Sequence, residues 1–257
     1  MGDLQVGSVL VTGSNRGIGL ELVKKFLESP VAPHWVFATC RDPEGPKAQE
    51  LKALASEHSN LVVLQLDVTD HSSILEAAKK VESKLDGSGL NLLINNAGMM
   101  HRTMLHDSTR EDLMESYDNN LIGPLLVSQV FLPLLKKAAQ ASPAAALNCN
   151  KAAVINISAA LGSIELVPVV LDMFPVIPYR LSKVALNMLT RCQAETYRKD
   201  GILSVAIHPG WVQTDMGSIA APLTKDASVR GILRVLASLT EKNTGTMMDW
   251  EGNTLPW

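Results

Sequence analysis

Short apolar runs alternate along the chain with longer segments that have helical spacing. The runs are rich in valine, isoleucine and leucine and contain few polar positions, which is typical of strands covered on both faces. They predict six strands, over residues 8–11, 35–39, 61–66, 91–94, 152–157 and 203–207. Apolar residues three and four positions apart predict helices between them, among others over residues 17–28, 71–85, 121–139 and 179–198.

This alternation of strands and helices predicts the fold class. Strands joined by crossover helices form parallel sheets with right-handed connections, so we expect an α/β fold with a Rossmann-like, doubly wound parallel sheet flanked by helices. The 257 residues fit a single α/β domain, and the chain shows neither an internal repeat nor a convincing domain boundary. We therefore expect one domain over residues 1–257.

A glycine-rich turn follows the first predicted strand and precedes a predicted helix. Its glycines allow a tight turn and a close approach of the backbone to a pyrophosphate, and the start of the helix supplies unpaired N–H groups. This position between strand and helix predicts a dinucleotide site. The predicted cofactor-binding residues of the turn are Gly13, Ser14, Asn15, Arg16, Gly17, Ile18 and Gly19.

The residues after the second strand bear on the choice of cofactor. An acidic residue there binds the ribose 2′-hydroxyl of NAD, whereas a basic residue accepts the 2′-phosphate of NADP. Arg41 stands at this position and Arg16 is a second candidate, so we expect NADP(H). The alternative is that both arginines are solvated and that Asp42 neutralises one of them. Asp67 and Val68, after the third strand, are candidates for the adenine edge, although a turn-capping role for Asp67 fits nearly as well.

Tyr179 and Lys183 are four residues apart on a predicted helix, so their side chains share a face. A tyrosine hydroxyl has an ordinary pKa of about 10, and a nearby ammonium favours the phenolate. Such a pair could protonate a carbonyl oxygen as hydride reaches the carbon. A tyrosine and a lysine at this spacing are common by chance, so the pair alone decides nothing.

Five ordered motifs give this pair its context. The chain resembles classical short-chain dehydrogenases/reductases at TGSNRGIG (12–19), NNAG (95–98), NLIG (120–123), YRLSK (179–183) and PGWVQTDM (209–216). It resembles the sniffer group of carbonyl reductases more closely at CRD (40–42), LGSI (161–164), YRLSKVALNM (179–188), HPGWVQTDMG (208–217) and the terminal G-x-x-LPW. The resemblance covers nearly the whole chain and implies an NADP-dependent oxidoreductase.

The resemblance also implies a role for each matching residue. Tyr179 would donate the proton, Lys183 would lower the pKa of Tyr179 and hold the nicotinamide ribose, and Asn120 would position a water in the proton relay. The remaining cofactor-binding residues implied in this way are Asn96, Ala97 and Gly98 after the fourth strand, and Pro209, Gly210, Val212 and Thr214 after the sixth.

The sequence departs from this family where a catalytic serine is usual. Alignment on Gly162 puts Ala159 at the position of the serine that hydrogen-bonds the substrate carbonyl. One missing donor of this kind can cost roughly 2.7–4 kcal/mol of transition-state stabilisation. Ser158 is retained as a candidate catalytic residue, although strand alternation points it to the opposite side. The alternatives are that Ser163 substitutes or that Tyr179 polarises the substrate alone.

Residues 166–178 form a second departure, because the chain between Ser158 and Tyr179 is longer than is usual in the family. Three prolines break any long regular element there, and most of the other side chains are apolar. We expect a loop beside the substrate cleft that suits an aromatic, lipid-derived or steroid-like carbonyl. A loop that covers the core or an interface fits the pattern equally well.

Composition and charge limit the partners. Hydrophobic residues make up 46% of the chain and its formal charge is -3 without a long single-sign run, so no nucleic-acid partner is expected. No run reaches the roughly 20 apolar residues of a membrane span, and the polar start MGDLQVG lacks the zones of a signal peptide, so a cytoplasmic location is expected. The dispersed histidines and the cysteines without CxxC spacing predict no metal site.

These observations predict an NADPH-dependent carbonyl reductase that acts on a small, apolar ketone, aldehyde or quinone, with Tyr179 as general acid. The resemblance also implies a homo-oligomer built through the helices at 121–139 and 179–198. Two alternatives remain open. One is an alcohol or hydroxysteroid dehydrogenase of the same fold, which strong NAD binding would indicate. The other is a cofactor-binding regulatory protein whose catalysis has faded with Ala159.

Overall fold

A twisted sheet of eight strands forms the centre of the described part of the chain. The structure is a computed structural model that describes residues 4–142, 144 and 146–257. The strands are β1 (Ser8–Thr12), β2 (Trp35–Cys40), β3 (Leu61–Gln65), β4 (Leu92–Asn95), β5 (Ala153–Ile157), β6 (Leu203–His208), β7 (Met247–Asp249) and β8 (Thr254–Leu255). Their order is β3-β2-β1-β4-β5-β6-β7-β8. All neighbours are parallel except β7 and β8.

Helices connect and cover the strands. The α-helices are α1 (Gly17–Leu27), α2 (Gln49–Glu57), α3 (His71–Leu85), α4 (Arg110–Tyr117), α5 (Gly123–Ala141), α6 (Val167–Val170), α7 (Ile177–Tyr197) and α8 (Lys225–Ser238). A single π-helical turn, Asp118–Ile122, joins α4 to α5. The strand order changes direction between β1 and β4, and ligands of doubly wound sheets bind at the carboxyl ends of the strands beside this point.

The predicted α/β fold class is confirmed, and each of the six predicted strands occurs with ends shifted by at most one residue. The sequence pattern did not predict β7 and β8, because strands of three and two residues are too short for periodicity to be recognised. The continuous apolar runs have a direct cause, since both faces of the central strands are buried. One face packs on α1 and α8, and the other packs on α3 and α5.

A buried polar network connects α7 to the middle of the sheet. The side-chain amide of Asn156 on β5 accepts a hydrogen bond from Asn95 (2.8 Å) and donates to Thr190 and Gln193 on α7 (both 2.9 Å). Buried amides are costly unless they are paired, so these bonds favour one register of α7 on the sheet. That register brings the first turns of α7 to the carboxyl end of β5.

The helical stretch from Arg110 to Ala141 is long and apolar enough to cross a membrane by length and composition alone. In this fold, however, Val127, Phe131 and Leu135 are fully buried in the cluster between the sheet and α3. Packing against the sheet therefore accounts for its apolar character, as in the core helices of globular proteins.

Residues 166–178 are more regular than predicted. Pro168 lies in the first turn of α6 and Pro178 in the first turn of α7. Proline is accepted in a first turn because its missing N–H has no intrahelical partner there. These two prolines therefore lie at the starts of a short helix and a long one, whereas the sequence pattern indicated only that proline interrupts a long regular element there.

Candidate active site

The glycine-rich turn has the geometry of a backbone cradle. Gly13 and Gly17 have φ values of 66° and 59°, in the left-handed region where only glycine is free of strain. A Cβ on Gly19 would overlap the carbonyl oxygen of Gly13 and the side-chain amide of Asn96. Helix α1 begins at Gly17, and no side chain caps its start from Arg16. The turn therefore presents backbone N–H groups without a Cβ in front of them, which suits a pyrophosphate.

The turn after β4 is bonded to this cradle. The Asn96 side chain donates to the carbonyl oxygen of Thr12 (2.8 Å), and the backbone N–H groups of Asn96 and Ala97 both donate to the Thr12 hydroxyl (3.0 Å each). A Cβ on Gly98 would lie 3.0 Å from Oδ1 of Asn120 and 3.8 Å from Nζ of Lys183. Residues 96–98 thus link the glycine turn to the candidate catalytic side chains.

The segment after β6 lies beside the glycine turn, and we refer to the space bordered by this segment, the glycine turn and residues 96–98 as the candidate cofactor groove. The carbonyl oxygen of Pro209 accepts a hydrogen bond from Ser228 (2.6 Å), and Gly210 has a φ of 84°. Val212 is buried and forms an isolated bridge with Leu223. Thr214 reaches the glycine turn, since its Cγ2 would lie 3.6 Å from a Cβ on Gly17. The glycine turn and the segment after β6, predicted for opposite ends of a dinucleotide, therefore border the same candidate groove.

The predicted adenosine-side residues occupy different environments. Arg16 forms an ion pair with Asp215 (2.6 Å), and both side chains are more than half exposed. Arg41 is exposed, and it is absent from the ion pairs of the described residues. One carboxylate oxygen of Asp67 accepts hydrogen bonds from the backbone and hydroxyl of Thr69, so the turn-capping alternative describes this oxygen well. Val68 is buried against the start of α5.

The pair of Arg16 and Asp215 was not anticipated from the sequence. The Arg16 guanidinium holds the pKa of the Asp215 carboxyl below its usual range. Exposed pairs of this kind contribute little to stability, up to about 1 kcal/mol. Arg16 is therefore held loosely enough to exchange Asp215 for a phosphate.

Tyr179 and Lys183 lie on the first turns of α7, as their spacing predicted. Lys183 Nζ is 5.5 Å from the centre of the Tyr179 ring and donates to the carbonyl oxygen of Ile157 at the end of β5 (2.8 Å). Both residues are buried. The tyrosine hydroxyl and the lysine ammonium thus share one low-dielectric environment beside the groove.

Asn120 is held by the π-helical turn between α4 and α5. Its side-chain oxygen accepts from the backbone N–H of Met99 (2.9 Å), and its amide donates to the Met99 carbonyl and to the Ser182 hydroxyl (2.9 Å each). Ser182 in turn donates to the Tyr179 carbonyl (2.8 Å). Single π-turns are frequent at functional sites because they redirect one side chain. Here the turn aims Asn120 at the helix that carries Tyr179.

Burial is the main cause of the pKa shifts of Tyr179 and Lys183. It raises the pKa of Tyr179 above its ordinary value and lowers the pKa of Lys183 to about 7. Desolvation disfavours the charged form of each group, the phenolate of Tyr179 and the ammonium of Lys183. Burial therefore opposes the lowering of the tyrosine pKa by the lysine that the sequence led us to expect.

Ala159 stands where the resemblance puts it, and Ser158 does not replace the missing serine. Ser158 is buried, and its hydroxyl donates to Oδ1 of Asn187 on α7 (2.6 Å). Ala159 instead packs in the apolar cluster that contains Tyr179. This geometry argues against the prediction of Ser158 as a catalytic residue, since strand alternation turns it to the other side. The Ser163 hydroxyl is also buried, and it accepts from the backbone of Leu166 (3.2 Å).

We expect Ser158→Ala to lower stability with little effect on turnover. The substitution leaves Oδ1 of Asn187 without its buried donor, a loss that costs about 1–3 kcal/mol. Urea unfolding measures the loss of stability, and steady-state kinetics measures turnover. A fall in kcat of about a hundredfold at unchanged KM would instead identify Ser158 as the carbonyl donor.

An apolar cluster surrounds the tyrosine. Ala159, Val176 and Tyr179 are its buried members, and the partly buried side chains packed against them are Met100, Leu161, Phe174 and Met216. Phe174 also meets Trp211 edge to face, with ring centres 5.1 Å apart. The sequence predicted an apolar segment here but not the aromatic pair, because its partners are 37 positions apart in the chain. Among the described residues, no group of three or more histidine, cysteine or acidic side chains could hold a metal ion.

Comparisons with known proteins identify the family of the chain. Residues 7–222 match the family model for short chain dehydrogenase. Carbonyl reductase from chicken fatty liver, in a structure bound to NADPH, is 53% identical over 100% of this chain and 96% of that chain, with a TM-score of 0.97. Carbonyl reductase Sniffer of D. melanogaster is 36% identical over 98% and 100% of the two chains, with a TM-score of 0.94. Short-chain dehydrogenase srdF of Neurospora crassa is 31% identical and covers 97% of each chain.

The family model covers most of the chain, and the similar structures extend over nearly all of it. The glycine cradle, the π-turn asparagine and the pair of Tyr179 and Lys183 lie at one edge of the sheet, as the five sequence motifs require. The chain therefore belongs to the short-chain dehydrogenase/reductase family, and sniffer-type carbonyl reductases are among its similar structures.

Proposed function

We propose that this protein is an NADPH-dependent carbonyl reductase that converts ketones, aldehydes or quinones to alcohols, with Tyr179 as the general acid. The observation that carries the proposal is the proximity of Lys183 to the Tyr179 ring and of Lys183 and Asn120 to Gly98, beside the glycine cradle. A protein that only bound a dinucleotide would have no need of a buried tyrosine, lysine and asparagine beside that cradle.

The proposal that NADPH is the cofactor rests on the fit of the glycine turn to a pyrophosphate and on the similarity to an NADPH-bound carbonyl reductase. The cradle at Gly13, Gly17 and Gly19 leaves space where a Cβ would block a pyrophosphate. Arg16 in the glycine turn and Arg41 after β2 are the proposed partners of a 2′-phosphate, and the chicken carbonyl reductase that is 53% identical to this chain was solved with NADPH bound. Residues 96–98 would border the nicotinamide half of the groove, and Pro209, Gly210, Val212 and Thr214 would close over it.

The reaction needs a hydride and a proton. The hydride for the carbonyl carbon would come from NADPH held by the glycine cradle and residues 96–98. Tyr179 supplies the proton to the carbonyl oxygen, and its raised pKa keeps the hydroxyl protonated at neutral pH. Lys183 lies with its Nζ 5.5 Å from the centre of the Tyr179 ring, and burial lowers its pKa to about 7, so it is placed to assist the return of a proton to the tyrosine. The Asn120 bond to Ser182 holds the first turn of α7 in position.

This protonation state favours reduction over oxidation. An alcohol dehydrogenase must use Tyr179 as a base, which requires the phenolate, and burial disfavours that form. The reductive direction begins with the neutral hydroxyl that burial favours. Together with the similarity to carbonyl reductases, this supports a reductase over an alcohol or hydroxysteroid dehydrogenase.

The substrate class follows from the surroundings of Tyr179. Its neighbours Ala159, Val176, Phe174 and Met100 are apolar, and the usual serine hydroxyl is replaced by a methyl group. A carbonyl that is already electron-poor depends least on a second hydrogen bond. We therefore propose apolar, activated carbonyls such as aromatic diketones and quinones.

The missing serine also supports the second candidate, a cofactor-binding regulator without turnover. The two functions are separated by titrating the protein with NADPH and NADH and by following NADPH oxidation with quinones, aromatic aldehydes, diketones and keto-steroids. Turnover of any of these substrates supports the reductase. Tight NADPH binding without turnover of any of them supports the regulator.

We expect Arg41→Ala to weaken NADPH binding by about ten- to a hundredfold and to leave NADH binding nearly unchanged, since a hydrogen bond to a charged group contributes about 1.5–3 kcal/mol. Fluorescence titration with both cofactors measures the two affinities. Arg234→Ala, which removes an exposed arginine from α8, is the matched control. Equal weakening for NADPH and NADH would contradict the assignment of Arg41 to the 2′-phosphate.

A further inference from the structure

Arg180 has a role that the family motif does not assign. It follows Tyr179 directly on α7, and its side chain turns inward, leaving the residue only 6% exposed. The guanidinium donates to three backbone carbonyls, those of Val170 (2.7 Å), Phe174 (2.8 Å) and Leu161 (3.4 Å). All three belong to the segment that runs from the end of β5 to the start of α7.

A buried arginine in this arrangement is unusual. Among the ion pairs of the described residues none includes Arg180, so backbone oxygens alone compensate its desolvation. Taking a charge out of water is costly, and the cost is offset only when several donors are satisfied at once. The planar fork of the guanidinium makes this feasible, because one rigid group reaches three oxygens.

The segment that Arg180 contacts has little regular structure of its own. Helix α6 is only four residues long. The carbonyl oxygen of its last residue, Val170, accepts a hydrogen bond from the Arg180 guanidinium (2.7 Å). The carboxyl end of a helix favours a cation. The segment also exposes the apolar side chains of Ile164, Val169 and Met173, so few apolar contacts hold it from outside. The arginine is therefore a major anchor of this segment.

Phe174 connects the anchor to the candidate active site. Its carbonyl oxygen binds Arg180, while its ring packs in the cluster of Ala159 and Tyr179 and against the edge of Trp211. Trp211 lies in the segment that would close over the nicotinamide. The position of the Phe174 ring therefore depends both on α7, which carries Tyr179, and on the segment after β6, which carries Trp211.

We propose that Arg180 is a positioning residue that holds segment 161–174 on the catalytic helix, so that Phe174 forms one wall of the pocket for the apolar part of the substrate. The proposal rests on the proposed reductase function. It further states that Arg180 sets the preference for bulky apolar carbonyls and takes no part in proton transfer.

The test compares Arg180→Met and Arg180→Lys with a control on the same helix. Methionine removes all three donors, whereas lysine keeps the charge and loses the fork. Arg191→Met is the control, because Arg191 is half exposed and bonds Gly245 and Glu195 away from this segment. The measurements are NADPH affinity, kinetics with a bulky aromatic diketone and with a short aldehyde, and amide hydrogen exchange.

We expect Arg180→Met to raise KM for the bulky diketone by about tenfold or more, with kcat, NADPH affinity and the KM of the short aldehyde changed by less than about threefold. Arg180→Lys should lie between this variant and the wild type. In a Phe174→Ala background the effect of Arg180→Met on KM should largely disappear, because the two residues act through one contact.

Hydrogen exchange tests the anchor without any turnover. The amides of Val170, Leu171 and Phe174 are bonded within the segment at 3.1–3.2 Å, and Arg180→Met should speed their exchange about tenfold or more while α7 beyond Lys183 stays protected. Unchanged exchange in these amides would overturn the proposal, as would equal losses of NADPH affinity and of turnover with every substrate. If the wild type reduces none of the substrates, the proposed function fails, and the exchange result still decides whether Arg180 holds the segment.

Discussion

Replacing Tyr179 by phenylalanine should lower kcat/KM for carbonyl reduction by about 10²- to 10⁴-fold, the usual contribution of a positioned general acid. The change removes one oxygen atom from a side chain whose ring is packed on Ala159 and Val176. The ring contacts remain, so NADPH affinity and thermal stability should stay close to those of the wild type. Loss of NADPH absorbance measures the rate, and fluorescence titration measures the affinity.

Tyr197→Phe is the matched control, since Tyr197 is a buried tyrosine at the other end of α7. We expect this variant to keep the wild-type rate. A Tyr179→Phe protein that retains most of its activity would remove the tyrosine from the mechanism and with it the central part of the proposed function. A Tyr179→Phe protein that no longer binds NADPH would assign the tyrosine to the cofactor site alone.

Ala159→Ser should raise kcat by up to about 10²- to 10³-fold, because it restores a hydrogen-bond donor to the carbonyl oxygen in a site shielded from water. Ala159 has an extended backbone at the start of the turn Ala160–Gly162, a position that serine readily occupies. The new hydroxyl would lie in the cluster with Tyr179. The gain should be largest for unactivated ketones, which depend most on a second donor.

Ala160→Ser places the same hydroxyl one residue further along and is the control for Ala159→Ser. Adding Tyr179→Phe to Ala159→Ser should abolish the gain if the serine assists the tyrosine. A wild type that is already fast and an Ala159→Ser variant that is no faster would show that Tyr179 alone polarises the substrate. If the wild type shows no turnover and the Ala159→Ser variant does, the result would favour a regulatory protein that lost its catalysis at residue 159.

Ala159 and Arg180 would both shape the proposed substrate pocket, Ala159 directly and Arg180 through Phe174. The methyl group of Ala159 removes a polar group from the wall beside Tyr179, and Phe174 adds an aromatic face to that wall. The Arg180 side chain donates to the backbone carbonyl of Phe174, so in our proposal this apolar wall is also held in a fixed position. A pocket of this kind would select by shape and apolar contact, in line with the proposed apolar substrates.

Local patterns in the sequence were sufficient for the fold class and for most of the candidate site. Continuous apolar runs predicted the central strands because both faces of a parallel sheet are buried. The glycine turn was predictable because positive φ and close backbone approach both demand glycine. The spacing of Tyr179 and Lys183 predicted a shared face because the period of a helix is a local property. The family resemblance then supplied Asn120 and the residues after β4 and β6.

Tertiary structure decided what depends on distant neighbours. The directions of the pKa shifts of Tyr179 and Lys183 follow from burial, which no local pattern reports, and burial opposes the lowering of the tyrosine pKa that the sequence led us to expect. The orientation of Ser158 was settled by Asn187, a partner 29 positions away. The same holds for the Arg16 pair with Asp215, which are 199 positions apart, and for the inward turn of Arg180. Periodicity encodes which elements form, whereas the solvation and the partners of a side chain are set only when those elements pack.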